Sequence, residues 1–158
     1  MALEFDDATA PFESEWAWRG GALAGLVATV VMGFAITVTN QPVLQESIAG
    51  LYGQEGSLIA GWVAHLVHGT LFGALFALVL ADPGLYRLTD WRWKTLLAGV
   101  VYALMLAVFG AGVIMPMWLE ILGFASPPTF PFVTTTILLW HLLYGIVLGA
   151  VFPFVEHV

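Results

Sequence analysis

The sequence has no cysteine and very little positive charge: 4 Lys+Arg stand against 11 Asp+Glu in 158 residues, a formal net charge of −7. Without cysteine there is no disulfide framework, no iron–sulfur cluster and no thiol nucleophile. With so few basic residues and a pI near 4.7, nucleic acid is excluded as a partner, because phosphate binding needs a basic face. Charge of either sign is scarce. Charged residues make up 9% of the chain, against about a quarter in soluble domains, too few to coat a water-soluble globule. A Gly-rich phosphate loop, a nucleophile elbow and an HExxH motif are also missing, so no catalytic residue is assigned and enzyme activity is not expected. What the chain has is apolar surface. It is 60% hydrophobic with a mean hydropathy of +0.92, the composition of a membrane protein.

Four apolar runs, 20–39, 57–80, 95–115 and 133–154, are each long enough for a helical crossing, and none contains Lys, Arg, Asp or Glu. They are too long for strands of a membrane barrel. The expected fold is an all-α four-transmembrane-helix bundle forming a single membrane domain over 16–158, preceded by a flexible acidic leader over 1–15. That leader (Glu4, Asp6, Asp7, Glu13, Glu15) lacks a basic n-region, so the first run is not a signal peptide. Arg19 precedes the first span, and Arg87, Arg92 and Lys94 lie between the second and third; the loops at 40–56 and 116–132 carry no Lys or Arg. The positive-inside rule then places both termini in the cytoplasm, in a multi-pass protein of the plasma membrane. Trp16, Trp18, Trp91 and Trp93 form an inner aromatic belt in this reading, with Tyr52 and Trp118 in the outer one.

The two halves repeat. Trp16-Ala17-Trp18-Arg19 returns as Trp91-Arg92-Trp93-Lys94, and Leu23-Ala24-Gly25 as Leu97-Ala98-Gly99. Pro42 and Glu46 match Pro116 and Glu120. The best match joins His65, Gly69, Gly73, Ala74 and Phe76 to His141, Gly145, Gly149, Ala150 and Phe152. The reading is a tandem two-helix parallel repeat, 16–81 and 91–156, about an axis along the membrane normal. The glycine pairs suggest that spans two and four are the close-packed ones.

His65 and His141 carry the functional expectation. Each lies about 12 Å inside its span at 1.5 Å per residue, and an ionisable group at that depth reads as a functional site. Gly69 and Gly73 follow His65 on the same helical face, as Gly145 and Gly149 follow His141. Glycines below a histidine leave a strip of bare backbone, against which a b-type haem would lie with both histidines as axial ligands to iron, serving membrane electron transfer. His68 and Tyr144 are the neighbouring candidates, as supports of a haem or as proton-handling groups. The competing reading takes the glycines as small-x-x-x-small packing motifs and the histidines as a hydrogen-bonded pair, in a non-catalytic accessory subunit of a larger, respiratory-type membrane complex or a homo-oligomer. A small transporter or channel has less behind it, since at mid-membrane spans one and three offer only glycines, Thr29, Thr37 and Tyr102. A zinc or di-iron site lacks ligands: Met105 and Met115 are soft and weak, and no carboxylate lies in a span. Glu46 and Glu120 head the outer loops, where 45–52 and 117–124 read as short surface helices. Thr134 is the expected cap of the fourth span.

The motifs His65-x-x-His68-Gly69 and Trp140-His141-x-x-Tyr144-Gly145-x-x-x-Gly149-Ala150, with the acidic leader and low lysine content, resemble uncharacterised haloarchaeal four-span membrane proteins, some of them labelled histidine kinases. That label would imply an ATP-binding domain, which this chain lacks. The resemblance implies a four-span fold and no particular activity.

Overall fold

A computed structural model describes residues 17–156 apart from Pro83; the acidic leader, Trp16 and His157 lie outside the described residues. The described chain is helical, without a strand. Its helices are α1 (Ala17–Asn40), α2 (Leu58–Leu80), α3 (Arg92–Met105), α4 (Met115–Ile121) and α5 (Thr135–Val155). A π-helical stretch, Leu106–Ile114, joins α3 to α4 without a break, and a second, Val43–Ile48, follows α1. Four helical rods are long and apolar enough to cross a membrane: Trp18–Asn40, Leu58–Leu80, Arg92–Ile121 and Thr135–Val155. They suggest a multi-pass membrane protein.

Two of the rods begin on a hydroxyl. Ser57 accepts the Ala60 amide at 3.2 Å and Thr134 accepts the Ile137 amide at 3.3 Å, each satisfying one of the orphan donors of a helix start. The cap expected at Thr134 is therefore present. The third rod runs past the expected boundary at 115, to Ile121. Pro116 has no N–H for the Gly112 carbonyl one α-turn back, and that carbonyl instead accepts the Phe132 amide at 2.8 Å from the returning loop. With this partner supplied, the helix passes Pro116 instead of ending there, so 117–121 continues the span.

The main packings are α1 on α2, α3 on α5, and α1 on α5. The glycines set the first two. A Cβ on Gly25 would come within 2.7 Å of the Gly73 Cα, and one on Gly73 within 2.5 Å of the Gly25 Cα. On the other side, a Cβ on Gly99 would lie 2.6 Å from the Gly145 carbonyl and 2.9 Å from the Gly149 Cα. Real Cβ atoms do not approach so closely, so these helices meet backbone to backbone. This corrects the expectation that the glycine pairs join spans two and four: each pair is covered by the helix preceding it in the chain. The physical reason lies in the partner, since Gly21-x-x-x-Gly25 presents α1 with its own bare strip and Gly21 faces Ala77 across the interface.

The rods α2 and α5 instead face one another across the interior through side chains. Phe76 and Phe152 pack edge to face with centroids 5.5 Å apart, and Phe76 also tilts against Tyr102 of α3 at 5.4 Å. Ala24, Ala28, Ala103 and Ala107 fill the narrow parts of the core, while Ile36, Leu148 and Phe152 fill the wide ones. Outward-facing Phe34, Val38, Leu71, Phe109 and Leu139 are exposed, as expected of rods surrounded by lipid.

The end of the bundle holding α1's start, the 81–91 connection and α5's end carries the cations. There Arg19 lies over the Trp18 ring at 5.5 Å, Arg92 over Phe154 at 4.9 Å, and Lys94 over Trp91 at 5.4 Å. Trp18, Trp91 and Trp93 are all exposed at this end.

Candidate functional site

The opposite end is built on the 41–57 and 122–134 connections, and the histidines lie inside it. From the starts of α2 and α5, His65 and His141 sit at similar depth, about 10 Å in at 1.5 Å per residue. His65 is 7% exposed. It turns toward α1, where its Cδ2 approaches the bare face of Gly33 and its ring lies beside the Thr29 main chain. Trp62 meets it edge to face at 6.2 Å. The Nε2 of His65 is buried and has no hydrogen-bond partner. A buried polar atom left unpaired costs about 1–3 kcal/mol, so its persistence at this position calls for an explanation.

Its polar neighbours come from three helices. His141 places Nδ1 2.9 Å from the Ile137 carbonyl, four residues back; that nitrogen donates and leaves Nε2 as the free lone pair. His141 stands on α5 at a depth similar to that of His65, and His68 one turn further along α2. Thr29 fills the notch at Gly69, with its hydroxyl where a Cβ of Gly69 would be. That hydroxyl donates to the Gly25 carbonyl at 2.6 Å. The Tyr144 hydroxyl donates to the Gly69 carbonyl at 2.8 Å, and the Tyr102 hydroxyl donates to the Phe72 carbonyl at 2.9 Å. Tyrosines from α5 and α3 are thus tied to the backbone of α2, next to the histidines.

His68 sits one turn along α2 from His65, half-buried. Its Nε2 meets the Tyr52 hydroxyl at 2.6 Å. The turn bearing Tyr52 is held in place twice: the Trp118 indole N–H donates to the Leu51 carbonyl at 3.1 Å, and Gln45 binds the Gly56 carbonyl through its side chain at 3.0 Å.

His65, His68, His141 and Tyr144, inferred from sequence, therefore gather in one region. Gly69, Gly73, Gly145 and Gly149 do not line an open surface in it. The strips on which a porphyrin would lie are filled by α1 and α3 backbone, so these residues do not fit a haem seated on the glycines. No group of three or more His, Cys, Asp or Glu side chains able to hold a metal ion occurs among the described residues. Met105 faces outward, and Glu120 is exposed on the loop end. Sequence reasoning undervalued Thr29, Tyr102 and Tyr52. The signal was there in the first two, as the rare polar groups of otherwise apolar runs; nothing in the sequence joined Tyr52 to His68.

Comparison with protein-family models, with curated proteins and with solved structures finds no match.

Proposed function

We propose that this chain is a plasma-membrane protein whose buried His65–His141 pair takes up a proton, with His68, Tyr144 and Tyr102 as hydrogen-bonding neighbours. The observation that carries this reading is the unpartnered Nε2 of His65, buried at a depth similar to that of His141. An imidazole has a lone pair that can take up a proton, and histidines inside membranes mark proton relays and related sites. In this reading the two rings share the uptake and titrate as a unit.

The same proposal includes the tandem repeat and a cytoplasmic location for both termini. The repeat is supported by the matching glycine contacts of α1 with α2 and of α3 with α5. The orientation is supported by Arg19, Arg87, Arg92 and Lys94 lying at one end. Single cysteines at Gln54 and Thr129 are expected to react with an impermeant thiol reagent from outside the cell, and one at Thr89 only after the membrane is opened. The reverse pattern would invert the topology.

The chemical test is nitrogen NMR of histidine-labelled protein in nanodiscs. Between about pH 9 and 3, the His65 and His141 signals are expected to gain a proton in coupled steps, and removing either ring to alter the other's titration. Rings that stay neutral throughout would overturn the reading. Glycine contacts this tight specifically favour a second reading, an accessory subunit in which the histidines only pack. A haem-bearing site would show a reduced α band near about 560 nm, lost in His65→Ala or His141→Ala; the expected preparation is colourless.

A further inference from the structure

The four rods are joined as an open horseshoe. α1 packs on α2 and on α5, and α5 on α3, but among the described residues α2 and the third rod do not pack closely. Two crossings bridge the gap between them. The Tyr102 hydroxyl reaches over to the Phe72 carbonyl at 2.9 Å, with its ring against Phe76, and nearer the loop end the Trp118 indole donates to the Leu51 carbonyl at 3.1 Å. The third rod is the least covered of the four, its apolar stretch 22% buried against 39–44% in the others. Between the crossings Met105 and Phe109 are exposed, and nothing lies within 4 Å of a would-be Cβ on Gly110. On the α2 side His68 and Phe72 share a face, their rings 6.2 Å apart, and exposed Leu75 and Val79 continue it.

The Tyr52–His68 pair stands at this opening with a hydrogen left over. A neutral imidazole and a phenol hold one N–H and one O–H between them. Their contact, Tyr52 Oη to His68 Nε2 at 2.6 Å, uses one of the two. If the phenol donates, Nδ1–H is left; if Nε2–H donates, the phenol O–H is left. Either tautomer leaves one donor and at least one acceptor free, because His68 Nδ1 has no partner among the described residues and is not sealed from the surroundings. The pair is also deep. His68 lies about 15 Å along α2 from Leu58, near the middle of a hydrocarbon layer about 30 Å thick. Even with the side chains leaning toward the helix start, phospholipid carbonyls at the headgroup boundary are too far out to meet the donor. Left unmet in hydrocarbon, it is costly.

We infer that the opening between α2 and the third rod binds a membrane-dissolved quinone, one carbonyl of which takes the free hydrogen of the Tyr52–His68 pair. A quinone carries its acceptors on a flat ring with an apolar tail, and so brings a carbonyl into the hydrocarbon core. The ring suits Tyr52, His68 and Phe72, whose own rings follow one another in tilted succession at 5.7 and 6.2 Å. The tail suits Leu75 and Val79. An apolar opening in which one pair of polar groups sets the orientation is the usual form of a small-molecule site. The turn bearing Tyr52 is already tied to the third rod by Trp118, so the donor is held in place before the ligand arrives. This site is separate from the His65–His141 proton site and stands or falls without it.

The experiment uses the full chain in phosphatidylcholine nanodiscs, with a decyl-substituted benzoquinone isotope-labelled at its carbonyls as the probe. Infrared spectra are expected to show a second carbonyl band, moved to lower frequency by the hydrogen bond and saturating at one quinone per chain. Tyr52→Phe combined with His68→Leu is expected to remove that band. Decylbenzene has the same tail and no acceptor, and is expected to need at least about fivefold more than unlabelled quinone to displace the probe. Three results overturn the inference. Absence of the shifted band means that water meets the donor, and survival of the band in the double variant places the quinone elsewhere. Displacement by decylbenzene at the same concentration as quinone means that the opening takes any apolar molecule. If the double variant does not fold, Leu75→Trp decides in its place, since it fills the opening from an exposed position. It is expected to weaken quinone binding to a similar degree, and unchanged binding overturns the inference.

Discussion

Gly73→Ala is expected to lower the stability of the bundle by about 3 kcal/mol, the upper range of overpacking costs, measured by unfolding in mixed micelles. The added methyl would meet the Gly25 Cα at 2.5 Å and the Gly21 carbonyl closer still, so the obstruction is backbone and no rotamer change relieves it. The helices have to separate, and separation also breaks the Thr29 notch at Gly69 and the tyrosine bond to that residue's carbonyl. Gly110→Ala is the matched control. Nothing lies within 4 Å of its would-be Cβ, and the change is expected to stay within about 0.5 kcal/mol, as for surface substitutions generally. Equal costs at the two positions would refute the backbone-contact account of the α1–α2 interface.

The second large effect is opposite in sign. His65→Leu is expected to make the folded protein more stable, by about 1–2 kcal/mol, because it removes a buried acceptor that has no partner and retains most of the packing volume. The same variant is expected to lose the coupled titration. Gain of stability with loss of response is the signature of a group retained for what it does. If the histidine serves packing alone, the substitution costs stability, and micelle unfolding with the titration run beside it separates the two cases. His141→Leu is a weaker version of the experiment, since His141 already gives one nitrogen to the Ile137 carbonyl.

Much of this arrangement could be read from the residues. The absence of charge from four long runs located the apolar rods, Thr134 announced a helix start, and the similar depth of His65 and His141 follows from their places in the second and fourth runs. The partners were less legible. A Gly-x-x-x-Gly strip says that some backbone comes close, and Gly69-x-x-x-Gly73 carries no mark of which helix that is. The facing strip at Gly21 and Gly25 held the answer, since two bare strips on consecutive antiparallel helices suit each other better than two histidine-bearing helices suit close contact. The length of the third span was hidden for a different reason. A proline ordinarily ends a helix, but Pro116 falls in the first turn of α4 after the π-helical stretch, and the Gly112 carbonyl takes its hydrogen bond from Phe132, twenty residues on. The bond between Tyr52 and His68 likewise depends on how the 49–57 turn is tied down by Trp118.

Because each glycine interface is made by two helices adjacent in the chain, the order of synthesis matches the order of assembly. By the time residue 80 has entered the bilayer, α1 and α2 already hold everything their mutual contact requires: Gly21, Gly25, Thr29, Gly69 and Gly73. The nascent protein therefore does not wait with an open backbone groove for a distant partner, the circumstance in which small-residue surfaces recruit wrong neighbours. The second hairpin completes its own contact through Gly99, Gly145 and Gly149 in the same way. Only then do Tyr102 and Tyr144 reach across to α2. The contacts of His65 with Gly33 and Trp62 thus lie wholly within the first hairpin.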